Sequence, residues 1–294
     1  VIQNSCNPGF MEIGERLGKE RLFHYINAYG FGKKTGIDLL GESSGIVFNL
    51  DNVGPVELAT SSFGQGNSVT PIQLVTATSA AINGGILYQP YVLKEIRMPI
   101  TSELIYEQKP KEVRRVISEE TSAKMRLALE SVVAKGTGRN AYLDGYRVGG
   151  KTGTAQKVVD GVYIDNNYIV SFIGAAPMND PELVVYIALD NPKNTIQYGG
   201  VVAAPIVREI LQEALQILNI PKQKGQIEKE LRWGLDYKYY VVPDFVGKKI
   251  NDLPPAIHYR YVFFGEGNIV KFQSPAPYEK IREGAAILLY LSRE

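Results

Sequence analysis

A chain of 294 residues, 45% hydrophobic and 21% charged, has the composition of a folded protein with room for one large domain and a small one. Its 32 Lys and Arg against 31 Asp and Glu leave a formal net charge of +1, which argues against nucleic acid as a partner, because such domains are strongly basic. The single cysteine, Cys6, excludes an intrachain disulfide, and His24 and His258 stand far apart with no ligand-like neighbours, so neither a metal nor a cofactor is expected.

Residues 8–30 read as one helix. Pro8 suits a first turn, Phe10, Ile13, Leu17 and Phe23 recur at helical spacing, and Gly30 and Gly32 end the run. A loop punctuated by Gly36, Gly41 and Gly45 follows. Thr70-Pro71 opens a second helix, with Thr70 as N-cap, and Asn83-Gly84-Gly85 closes it. A third begins at Ser118, with Glu119 and Glu120 at its positive end, and runs to Gly136. From Arg147 the pattern turns to strands over 151–159, 168–175 and 183–189. Asp160-Gly161 and Asn179-Asp180-Pro181 supply the turns of an antiparallel meander. A helix over 205–218 then presents Ile206, Ile210, Leu211, Ala214 and Leu218 on one face. Helices, a sheet and a closing helix make an α+β domain over 1–220. The polar run after Pro221 reads as a linker over 221–240, and a small unit occupies 241–294.

No run of roughly twenty apolar residues is present to span a membrane. The chain starts at Val1 without a methionine and reads as a fragment or processed product, with an N-terminal anchor expected outside it.

The chemistry concentrates in Gly149-Gly150-Lys151-Thr152-Gly153-Thr154-Ala155-Gln156. On a strand, Lys151 and Gly153 point to one face and Thr152 and Thr154 to the other. Gly153 allows a ligand close to the backbone, and such a strand can accept an extended peptide through main-chain hydrogen bonds. Lys151 brings positive charge, and a threonine hydroxyl can bind a carboxylate. A bare K-T-G is a weak pattern whose commonest meaning is a solvated lysine before a strand glycine. Upstream stands an S-x-N triplet, Ser5-Cys6-Asn7, which alone would read as an N-cap cluster before Pro8. Cys6 reads as a small buried side chain rather than a reactive thiol. Gln65, between Gly64 and Gly66, reads as part of a loop whose glycines serve the backbone.

Other motifs accompany these two in order: Leu17-Gly18, Tyr29-Gly30-Phe31-Gly32, Thr35-Gly36-Ile37-Asp38, Phe63-Gly64-Gln65-Gly66, Val69-Thr70-Pro71 and Gly136-Thr137-Gly138. From about Ser5 to Leu218 the chain resembles class B penicillin-binding proteins, whose signature includes K-T-G. The resemblance implies a penicillin-binding/β-lactamase-like transpeptidase fold. It implies a D,D-transpeptidase that cross-links peptidoglycan stem peptides through a serine acyl-enzyme and is inhibited by β-lactams. By motif match Ser5, Asn7 and Lys151 would be catalytic, and Thr152, Gly153 and Thr154 would bind substrate, with the N–H of Thr154 in the oxyanion hole. The family's nucleophile lies in an S-x-x-K motif upstream of S-x-N. No serine here is followed three residues later by lysine; Thr121 with Lys124 and Thr154 with Lys157 give only T-x-x-K. The resemblance therefore puts the nucleophile before Val1, implies that this chain alone is inactive, and makes the missing segment a partner.

Val242-Pro243-Asp244-Phe245-Val246-Gly247, Gln273-Ser274-Pro275-Ala276-Pro277 and Gly284 resemble a PASTA domain, a small helix on a three-stranded sheet. Two departures stand out: Pro254-Pro255 falls in the helix and should shorten it, and Tyr278 replaces the usual glycine after Pro277. The unit reads as a docking or spacer module. Together the resemblances imply an extracytoplasmic, membrane-anchored protein working with division or sporulation partners. A non-catalytic cell-wall scaffold and a β-lactam-sensing receptor or hydrolase are the competing functions.

Overall fold

The computed structural model describes residues 1–159, 162–230 and 239–293. The turn expected at Asp160-Gly161, and 231–238 of the expected linker, lie outside the described residues. The chain forms two compact units, Val1–Lys229 and Glu230–Glu294.

The first unit begins with α1 (Asn7–Leu17) and α2 (Lys19–Ala28), where one helix was expected. The break is Gly18, whose φ of 77° and ψ of 156° lie where only glycine sits comfortably. A Cβ on Gly14 would run into Ser62, so glycine lets α1 lie against α3 (Pro55–Ser62). α4 (Pro71–Ile82) has the expected cap: Thr70 Oγ1 accepts from Gln73 N at 3.3 Å, and Gln73 Oε1 accepts from Thr70 N at 2.9 Å. Gln73 is only 1% exposed. Its Nε2 also donates to the carbonyls of Lys33 and Ser44, which fastens the glycine-punctuated loop.

Two antiparallel pairs, unforeseen in the sequence, follow: β1 (Ile86–Gln89) with β4 (Lys111–Arg115), and β2 (Glu95–Arg97) with β3 (Leu104–Glu107). β3 and β4 are exposed throughout, so they lack the buried alternation that announces a strand. α5 (Glu119–Lys135) starts at Ser118, whose hydroxyl accepts from Thr121 N, and ends at Gly136.

β5 (Gly149–Val159), β6 (Val162–Ala176) and β7 (Leu183–Asp190) form the antiparallel meander in the order β5-β6-β7. Lys151 stands opposite Ile173, and Gly153 opposite Ser171. α6 (Gly199–Ile217) packs on this sheet. It starts six residues before the expected Pro205 because Gly199 and Gly200 let its first turn press on backbone. A Cβ on Gly199 would meet the Ser171 carbonyl, and one on Gly200 the Thr137 carbonyl. The expected apolar face also needs correction. Ala203, Ala204, Val207, Leu211 and Leu215 are buried, whereas Ile206, Ile210 and Leu218 are exposed. The small alanines bring the helix close to the sheet and so decide which of two apolar stripes faces inward. Phe172 lies at the centre of this core. Its ring would collide with a Cβ on Gly138 or Gly150, which explains the glycine just before Lys151.

In the second unit, β9 (Arg260–Phe264), β10 (Ile269–Ser274) and β12 (Ala286–Ser292) form a sheet in the order β10-β12-β9. Beside it, β8 (Tyr239–Val241) pairs with β11 (Lys280–Arg282). Val242, Phe245, Val270, Ile287 and Leu289 are its core. The expected helix is a single 3-10 turn, Ile250–Asp252, followed by Pro254-Pro255, which cannot continue a helix. Tyr278 has φ 70°, a left-handed conformation that suits glycine and strains tyrosine.

Candidate active site

The site begins where α5 ends. The N–H of Thr137 donates to the Gln3 carbonyl at 3.1 Å, and a Cβ on Gly136 would collide with the same carbonyl. This contact pins the 3-10 turn Ile2–Asn4 beside the sheet. Ser5 follows with φ 52° and ψ 48°, a left-handed conformation unusual for serine.

That conformation brings Ser5 to Lys151. Lys151 Nζ donates to Ser5 Oγ at 2.7 Å, to the Thr152 carbonyl at 2.9 Å and to Thr152 Oγ1 at 3.3 Å. Thr152 Oγ1 in turn shares a proton with Thr137 Oγ1 at 3.0 Å. Strand alternation separates Lys151 from Thr152, but the flexible lysine stem carries the amine back across the strand. Burial lowers the Lys151 amine from its ordinary 10.5 to about 8, because an ammonium loses hydration there. At neutral pH it is a cation near its titration point, able to give up a proton and take one back.

Not every expected residue joins this group. Asn7 opens α1 with an exposed side chain, and among the described residues no hydrogen bond links that side chain to the K-T-G strand. A Cβ on Gly153 would meet Ser171 Oγ, so a side chain there would require the Ser171 hydroxyl to turn away. Thr154 is exposed on β5. β5 is an edge strand, with no partner strand on its outer side among the described residues. Cys6, expected to be buried, is exposed, because it stands at the N-cap of α1, at the open end of the helix.

A cavity of about 280 Å³ reaches Lys151 between the helices and the sheet. Phe31, Ala77, Met125, Leu129, Gly150 and Ile173 are among its walls. Among the described residues no group of three or more His, Cys, Asp or Glu is arranged to hold a metal ion.

Thr137 is the site residue that sequence reasoning missed. Gly136-Thr137-Gly138 was legible as a motif, but a hydroxyl between two glycines carries no periodicity to show what it faces. Gly199-Gly200 likewise gave no sign that it meets Ser171 and Thr137.

Residues 1–212 match the penicillin binding protein transpeptidase domain. This chain belongs to that family. It is 58% identical over 295 residues to stage V sporulation protein D of Bacillus subtilis (strain 168), covering 100% of this chain and 46% of that protein. It is 34% identical over 225 residues to the probable peptidoglycan D,D-transpeptidase PenA of Neisseria meningitidis serogroup A, covering 76% of this chain and 37% of that one. The chain thus spans less than half the length of these two relatives. Penicillin binding protein 3 from Mycobacterium tuberculosis, complexed with ampicillin, superposes with a TM-score of 0.70 at 31% identity, covering 79% of this chain and 54% of that one. The transpeptidase domain of Burkholderia pseudomallei penicillin-binding protein 3 gives a TM-score of 0.65 at 33% identity, covering 74% and 63%. The fold is that of the transpeptidase domain of a class B penicillin-binding protein.

Proposed function

We propose that this chain is the S-x-N and K-T-G portion of a β-lactam-sensitive peptidoglycan D,D-transpeptidase. The observation that carries the reading is the 2.7 Å hydrogen bond from Lys151 Nζ to Ser5 Oγ, which joins the two motifs across 146 positions of sequence. The nucleophile is a serine outside these 294 residues, in a segment that docks beside Lys151. The cavity of about 280 Å³ that reaches Lys151 supports that docking.

In the proposed reaction the serine oxygen bonds to the penultimate D-alanine carbonyl carbon of a stem peptide, and the C–N bond to the terminal D-alanine breaks. The departing nitrogen takes a proton from Ser5 Oγ, which is replenished from the Lys151 ammonium, and the proton the nucleophilic serine gives up restores that ammonium. An amine of a neighbouring stem peptide then attacks the acyl-enzyme carbonyl, the C–O bond to the serine breaks, and the proton the amine loses passes through Ser5 and Lys151 to the departing serine oxygen, dividing one difficult acyl transfer into two easier ones. The hydroxyls of Thr152 and Thr154, with the charge of Lys151, hold the terminal carboxylate. The open edge of β5 receives the extended peptide, with Gly153 in its floor. Asn7 holds the substrate amide after its exposed side chain turns inward. The Thr154 N–H supplies half of the oxyanion hole, and the serine N–H the other half.

The second unit is proposed to be a PASTA-type docking or spacer module, a reading supported by its three-stranded sheet. Identity of 58% across the whole chain to a stage V sporulation protein favours a role in cell-wall synthesis during sporulation. That role puts the protein outside the cytoplasm, held by an anchor beyond this chain and working with sporulation partners.

Fluorescent penicillin labelling of the longer protein tests the reading. Covalent label that is lost slowly is expected. Rapid loss of label would indicate a hydrolase, and no label on folded protein would indicate a scaffold.

A further inference from the structure

Residues 221–229, the first part of the expected linker, run back over the first unit as a strap. Gln226 is its clasp. Its Nε2 donates to the carbonyls of Leu143 and Tyr146, and its Oε1 accepts from Gly145 N at 3.0 Å. The next residue, Ile227, donates its N–H to Glu130 Oε1 at 3.2 Å.

Glu130 projects from α5 with its side chain 2% exposed. Both its oxygens hold Arg147, through Nε at 3.1 Å and 3.1 Å and through Nη2 at 2.6 Å. Arg147 stands four residues before Lys151, at the head of β5, and its carbonyl accepts from Met178 N at 2.7 Å. One buried carboxylate thus carries the strap on one side and the head of the K-T-G strand on the other. Such a pair holds geometry tightly, because loss of either contact leaves a charge or an amide stranded away from water.

We propose that Glu130 is a positioning residue for Lys151, and that the strap leading to the second unit sets the seat of the K-T-G strand through this carboxylate. The proposal rests on the reading of Lys151 as the amine of the active site. When the strap lifts, the turn over 143–146 is unclasped and Glu130 loses the Ile227 amide. Arg147 and the first residues of β5 then loosen, and water reaches Lys151.

Backbone hydrogen exchange and an NMR titration of the Lys151 amine, on this chain, read the effect directly. In Gln226→Ala, which leaves the Glu130–Arg147 pair intact, amides over 149–154 are expected to exchange about tenfold faster while those of β7 keep their rates. The Lys151 midpoint is expected to rise from about 8 toward that of an ordinary lysine. Glu130→Gln should do the same more strongly, and Glu130→Asp, which keeps the carboxylate, should return part of the way to the unaltered chain; if Glu130→Gln does not fold, Gln226→Ala carries the test. Equal acceleration in β5 and β7, or an unmoved Lys151 midpoint, would overturn the proposal. Neither measurement uses penicillin, so a failure of the transpeptidase reading would appear in the labelling experiment and not here.

Discussion

An amine can hand on protons only if its charge can change near working pH, and burial puts Lys151 in that range, at about 8 instead of 10.5. The shift has a consequence for stability. Below pH 8 the amine is protonated in both states, and the folded state bears the full penalty of its burial. Between pH 8 and 10.5 the folded chain has released the proton and the unfolded chain still holds it. The penalty is therefore relieved, and this group makes stability rise with pH. Lys151→Met is expected to remove that rise when denaturant midpoints are compared at about pH 7.5 and about pH 9.5. Tyr278, with φ 70°, gives a second prediction: Tyr278→Gly should stabilise the second unit by about 1 kcal/mol, read as a higher melting temperature. The sequence pointed to Lys151 and Ser5 only through motif resemblance. Nothing in composition or periodicity foretells a left-handed serine, a lysine that curls back to its neighbouring threonine, or the approach of Thr137.

Whole elements were legible where caps and periodicity agreed. Thr70 and Ser118 marked the starts of α4 and α5, and strand-like runs separated by turn residues marked the three strands of the meander. The sequence was less informative where glycine acts through contacts distant in the chain. Gly199 and Gly200 begin α6 ahead of Pro205 because of what their backbones meet, whereas Gly18 divides α1 from α2 by its own left-handed backbone. Gly200→Ala is accordingly expected to push the start of α6 off Thr137 and reduce penicillin acylation of the longer protein with little change in helix content by circular dichroism. Phe172 is fully buried between β6 and α6. Phe172→Ala should cost about 3–5 kcal/mol, measured by urea unfolding, through lost contacts and a cavity beneath the K-T-G strand.

At the scale of the molecule, the two units have separate cores, one around Phe172 and Leu211 and one around Phe245 and Leu289. Separate cores predict separate cooperative transitions. In calorimetry, Phe245→Ala should lower the smaller transition and leave the larger in place. The strap could not be read from the sequence. A polar run such as Lys222-Gln223-Lys224-Gly225-Gln226 looks like a linker until its glutamines are seen to hold backbone groups of the 143–147 turn. The central claim remains the pairing of Lys151 with Ser5 as the proton path of a serine acyl transfer. Its most direct test is the acylation rate of the longer protein by a penicillin, compared between wild type and Lys151→Ala. A fall of about a hundredfold or more, the usual effect of losing a positioned proton donor, is the predicted result. An unchanged rate in folded Lys151→Ala would contradict the account.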